Sequence, residues 1–142
     1  MRRPGLTLAE LILACTLAGL VAGIVVPRMA DALDVVRISQ ASHEVAGAVT
    51  LARAAAIRRA EYARVVVDAS AGAVRVESGR DTLWRRDLRD DHRVTLRTSR
   101  DTITFAPNGL GYGVSNATII LSLGQRAETV TVSRLGRMRL SW

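Results

Sequence analysis

Read for the spacing of its apolar positions, the chain passes through three regimes. Leu11–Val26 is sixteen residues without a charge, roughly 24 Å as helix and short of a hydrocarbon core of about 30 Å. Counted from Leu6 the run reaches about 31 Å, enough to span, but it then includes Glu10, a costly residue inside a spanning helix. Beyond it, Val35, Ile38, Val45, Val49, Ala52 and Ala56 alternate intervals of three and four, with Ser42 filling the missing step. Arg37, Glu44, Arg53, Arg58 and Arg59 lie off that stripe, so one face meets a partner or a sheet. The spacing predicts a helix from Leu6 to about Glu61, about 84 Å long. Pro27 should kink it or unwind a turn.

From Tyr62 the period changes to two. Arg64–Asp68 and Ala73–Glu77 flank Ala69-Ser70-Ala71-Gly72 and read as a hairpin. Further strands are expected at Thr82–Arg86, Arg93–Thr98, Thr102–Ala106, Ala117–Leu123, Glu128–Ser133 and Arg137–Ser141. Turns are marked by Ser78-Gly79, Pro107-Asn108-Gly109 and Leu123-Gly124-Gln125. The economical architecture is α+β: a long N-terminal helix, its first half membrane-spanning, packed on one antiparallel sheet. Arg85–Arg93 reads as a solvated loop, and Gly109-Leu110-Gly111-Tyr112-Gly113 as a flexible one. No helix pattern opens after those glycines, so no helix N-terminus awaits a phosphate.

Composition narrows the chemistry. The 142 residues suit one ordinary domain. All twenty basic residues are arginine, which excludes a P-loop lysine, a Schiff-base lysine and Ser-x-x-Lys chemistry. A single cysteine, Cys15, excludes an internal disulfide, a Cys-x-x-Cys pair and a multi-cysteine zinc site; it reads as a small apolar residue of the membrane run. His43 reads as a packing or surface residue, and Asp90-Asp91-His92 as loop rather than metal ligands. No nucleophile motif supports a catalytic triad. The expectation is no enzyme, no catalytic residue, no metal and no cofactor. Of the net charge of +7, residues 63–142 carry +5 and each earlier segment, 1–27 and 28–62, carries +1. Thr129–Trp142 holds Arg134, Arg137 and Arg139 with no acid, so an anionic partner or an arginine-rich composition are both open readings.

Three readings compete at the N-terminus, an ordinary single-span membrane anchor among them. Arg2-Arg3, the apolar run and Ala30-Asp31-Ala32 fit a secretory signal with an A-x-A cleavage site. Against it, the helical pattern runs on past Ala32 and Glu10 has no role there. Gly5-Leu6-Thr7-Leu8-Ala9-Glu10, with its basic leader, resembles the prepilin processing motif of type IV pilins and type II secretion pseudopilins. The resemblance implies that prepilin peptidase cuts at Gly5–Leu6 and methylates Leu6, which stands where the family usually has Phe. It implies that Glu10 neutralises the amine of a neighbouring subunit during filament assembly. Domains follow from it: 1–5 leader, 6–27 transmembrane helix and filament spine, 28–62 the periplasmic half of the helix, 63–142 a β-rich head. Partners are then prepilin peptidase, other pilins or pseudopilins and the bacterial inner membrane. The chain would be single-pass with a periplasmic C-terminal domain, entering a type II secretion pseudopilus or a type IV pilus.

Phe105-Ala106-Pro107-Asn108-Gly109-Leu110-Gly111, the hairpin beyond it and Gly136-Arg137-Met138-Arg139 resemble the GspH/FimT group of minor pilins. In an extended segment Arg137 and Arg139 share one side, with Cα atoms roughly 6.6 Å apart. Two such forks suit successive phosphates. A C-terminal Gly-Arg-x-Arg is the DNA-binding element of FimT-like pilins, so the resemblance implies DNA as an alternative partner for Arg137 and Arg139, with Arg134 adding to the patch.

Overall fold

The computed structural model describes residues 7–113 and 115–142, with position 27 as backbone only. The expected cleavage site, Gly5 and Leu6, lies outside the described residues. Contacts divide the chain into two units, Met1–Asp34 and Val35–Trp142. Helix α1, Leu8–Arg59, contributes to both.

Within the first unit α1 starts on a capping box. Thr7 Oγ1 accepts from the Glu10 N–H at 3.3 Å, and Glu10 Oε2 accepts from the Thr7 N–H and hydroxyl at 2.9 Å each. The helical backbone continues through position 27, so of the kink or unwound turn expected at Pro27 the unwound turn is not formed. A missing N–H removes one rung of a 52-residue ladder, and cooperative turns on both sides hold the conformation. Apolar side chains from Leu8 to Leu33 are exposed, and this is the one helix among the described residues long and apolar enough to cross a membrane.

In the second unit the stripe follows its spacing from Ile38 onward: Ile38, Ser42, Val45, Val49, Ala52 and Ala56 are buried, while Val35 is half-buried. Ala41, Ala48 and Ala55 are buried as well, so the covered face is wider than the stripe alone. That width serves two sheets rather than the single sheet expected. The strands are β1 (Ala63–Asp68), β2 (Ala73–Ser78), β3 (Asp81–Asp87), β4 (Thr95–Thr98), β5 (Thr102–Phe105), β6 (Ala117–Leu123), β7 (Arg126–Val132) and β8 (Met138–Ser141). They pair antiparallel in the orders β3-β2-β1-β5 and β4-β6-β7-β8. Period-two alternation marks which face of a strand is buried but not which edge it joins. Here β4 leaves for the second sheet and β5 returns to pair with β1, Val65 opposite Ile103. Val65, Val67, Val76, Ile103 and Phe105 from one sheet join Leu96, Ile119, Leu121, Val130 and Val132 from the other in one core with α1.

The segment expected as a solvated loop contains a second helix, α2 (Leu88–His92). Asp87 caps it, its side chain accepting from the Asp90 N–H at 3.2 Å. Leu88 is fully buried and Arg93 ends the helix in the left-handed region. One apolar anchor among eight polar residues leaves no periodic signal to read.

Candidate interaction site

The Gly-Arg-x-Arg segment closes the β7–β8 hairpin. Gly136 N–H donates to Ser133 O at 2.8 Å and Ser133 N–H to Arg137 O at 2.9 Å. Gly136 has φ +71°, the left-handed position of a tight hairpin loop that glycine fills without a Cβ clash. A Cβ there would sit 3.3 Å from Cδ and Nη1 of Arg53. Gly109, at φ +75°, approaches the same stretch of α1: its Cβ would lie 2.7 Å from Ile57 Cδ1 and 3.4 Å from Arg53 Nε. Both glycines therefore seat their loops on α1, and Arg53 lies between them. The sequence reading placed Arg53 only off the helix stripe. The signal that could have found it is a pair of glycines in two motifs, each needing close backbone approach.

Residues 109–112 are tied down, where a flexible loop over 109–113 was expected. Gly109 N–H donates to Ala106 O (2.8 Å), Ala106 N–H to Leu110 O (2.9 Å), Gly111 N–H to Arg134 O (2.9 Å) and Tyr112 N–H to Thr104 O (2.8 Å). Gly111 packs against Ser115 and Arg134 so closely that no side chain fits. Tyr112 thereby meets Tyr62 edge to face, ring centroids 4.9 Å apart and planes at 67°. Hollows flank the pair. One of about 250 Å³ is lined by Leu110, Tyr112, Arg134 and Leu135 among others, and one of about 200 Å³ by Tyr62, Arg64, Glu77 and Thr104.

Arg137 and Arg139 are exposed and alternate with Met138, which packs on the core. Leu140 pairs opposite buried Val130, on the same side of β8 as Met138, and is 36% exposed because β8 is the edge strand. Arg139 pairs opposite Thr131 on the outer face. Among the described residues Arg53, Arg134, Arg137 and Arg139 have no acidic partner. Some other arginines are paired with acids: Arg59 with Asp81 at 2.8 Å, Arg64 and Arg75 with Glu77 at 2.6 and 2.7 Å. Those two guanidiniums, Arg64 first, hold the Glu77 carboxyl below the usual carboxylate range. The Asp68 carboxyl is lowered by the Ser70 hydroxyl and the Ala71 N–H.

The remaining candidates carry no chemistry of this kind. His43 is exposed. His92 turns to Glu44, 3.3 Å from Oε1, and not into a metal site with Asp90 and Asp91. No cluster of three His, Cys, Asp or Glu suited to a metal occurs among the described residues. Cys15 is exposed on the apolar stretch of α1.

A long apolar N-terminal helix packed on antiparallel sheets defines a type IV pilin-like α+β protein. The structure superposes on the type IV minor pilin FimU of Pseudomonas aeruginosa with a TM-score of 0.60 at 16% identity, covering 73% of this chain and 87% of that one. It is similar also to the minor pseudopilin EpsH of the Vibrio cholerae type 2 secretion system, with a TM-score of 0.58 at 11% identity over 74% and 96% of the two chains. In sequence it is 28% identical to the pilin-like protein PilA1 of Thermus thermophilus over 159 residues, 99% of each chain. Residues 41–136 match the type II transport protein GspH family, and the chain belongs to that family, a minor pilin or pseudopilin. Its members are structural proteins, not enzymes.

Proposed function

We propose that prepilin peptidase cleaves this chain at Gly5–Leu6, that Leu6 becomes the methylated N-terminus, and that residues 6–27 anchor the subunit in the inner membrane. Residues 28–62 then continue the spine into the periplasm and 63–142 form the head. The subunit enters a type II secretion pseudopilus or a type IV pilus through α1. The observation that carries this reading is the Glu10 carboxylate at the head of a helix whose apolar side chains are exposed. A charge so placed favours a state that supplies a cation, and the amine of a neighbouring subunit is one. Replacing Gly5 with Ala should leave the leader uncut, seen as a slower-migrating band. Glu10→Ala should allow cleavage but abolish cross-linking to neighbouring subunits. Normal assembly of the Glu10→Ala chain would refute the reading.

A second reading is favoured by the arginines without acidic partners at the β7–β8 turn and beside it on α1. There Arg134, Arg137 and Arg139, joined by Arg53, bind the phosphates of DNA. Affinity should fall steeply with salt, and Arg137→Ala/Arg139→Ala should remove binding while assembly persists. Absence of binding at low salt would leave the structural role alone.

A further inference from the structure

We propose that the Tyr62–Tyr112 pair is a stacking platform for unpaired nucleobases, so that the nucleic acid held at this site is single-stranded. The proposal rests on the DNA reading above and adds to it the form of the ligand. The chain has five aromatic residues. Phe105 is buried, yet Tyr62 and Tyr112 are 51% and 59% exposed and meet on the surface. Core packing does not explain two exposed rings in a protein this poor in aromatics.

Both rings are held in place before any ligand arrives. Tyr62 precedes β1, whose Ala63 pairs with Phe105 of β5. Tyr112 is fixed through its N–H to Thr104 of the same strand. Little side-chain or loop freedom is lost on binding. The hollows beside the rings, about 200 and 250 Å³, are smaller than a drug-sized cavity and suit a single flat ring laid against a tyrosine face. Arg134 lines the hollow next to Tyr112. Arg53 lies beside Gly109 and Gly136, so a second cation without an acidic partner stands at the adjoining turn. Among the described residues Glu77 is the one acid lining either hollow, and it is neutralised by Arg64 and Arg75.

Charge complementarity thus selects a polyanion, and the rings select one that exposes flat apolar faces. A duplex offers base edges in its grooves and keeps the faces stacked inside. A single strand presents a face at every nucleotide, and a cationic track with aromatic platforms is the combination that holds it.

The test uses the full chain in non-ionic detergent and fluorescence anisotropy across a salt series. The probes are a labelled oligothymidylate, a duplex of equal length and an abasic strand carrying the same phosphates. The single strand should bind more tightly than either other probe at every salt concentration. Tyr112→Ala or Tyr62→Ala should weaken single-strand binding about tenfold, leaving duplex and abasic binding and the salt slope as in the parent chain. Tyr112→Phe, which keeps the ring, should retain full binding and guards against misreading a folding defect. If the three probes bind alike, or the alanine variants weaken all of them equally, the stacking platform is wrong and DNA binding through the arginines stands. If no probe binds at low salt, the DNA reading and this inference both fall.

Discussion

Ser42→Ala tests the joint between α1 and the second sheet. Glu128 is 2% exposed on the inward face of β7, and its Oε2 accepts from Ser42 Oγ at 2.6 Å. The same hydroxyl lies 2.8 Å from the Ile38 carbonyl, so one proton is shared between two acceptors. Alanine removes the donor from a carboxyl that water does not reach. A hydrogen bond to such a group, with the desolvation it offsets, is about 1.5–3 kcal/mol. We expect a loss of about 2 kcal/mol. In a unit of roughly a hundred residues that lowers Tm by about 8 °C. Replacing both partners, Ser42→Ala with Glu128→Leu, leaves no polar group stranded and should cost less than Ser42→Ala alone. Thermal unfolding by far-UV circular dichroism near neutral pH, on the parent, both single variants and the double variant, reads the coupling directly. A Tm change below about 2 °C for Ser42→Ala, or a double variant that loses the sum of the two singles, would refute the reasoning.

Other consequences are more local. Leu88→Ala should destabilise the head by about 2–5 kcal/mol, because α2 hangs on that one buried side chain; chemical denaturation with urea measures it. Gly136→Ala should cost about 1–2 kcal/mol through its left-handed backbone, and pairing it with Arg53→Ala should relieve the side-chain contact but not that strain. Ala60 follows α1 at φ 53°, so Ala60→Gly should raise stability by about 0.5–1 kcal/mol in the same melts. Glu77 has a folded-state pKa lowered by Arg64 and Arg75, so its contribution is full above the unfolded-state value of about 4.3. It is lost as pH falls through the lower folded value. The parent chain should therefore lose more Tm than Glu77→Gln on acidification from about pH 6 to about pH 3, and equal losses would remove Glu77 from the account.

Much of this molecule is written locally. The charge-free run, the three-four spacing from Val35 to Ala56 and the alternation after Tyr62 follow from helix and strand periods, and α1 and the strands sit within a few residues of their expected places, whereas α2 stands where a loop was expected. The Thr7–Glu10 spacing, part of the segment that resembles a processing motif, also closes the cap on α1. Local pattern also marks Arg134, Arg137 and Arg139 as a basic segment. What it cannot encode is which distant residues become neighbours. Alternation is the same in one sheet or two, so the division of the head waited on β5 returning to β1. Ser42 filled a step in a stripe; its buried carboxyl partner stands 86 residues away. Arg53 and Tyr62 have no motif of their own. They enter the site only because Gly109, Gly136 and Tyr112 fold back onto the end of α1. Periodicity belongs to the chain, whereas the site is made where loops from different strands converge, and that convergence is decided by tertiary packing.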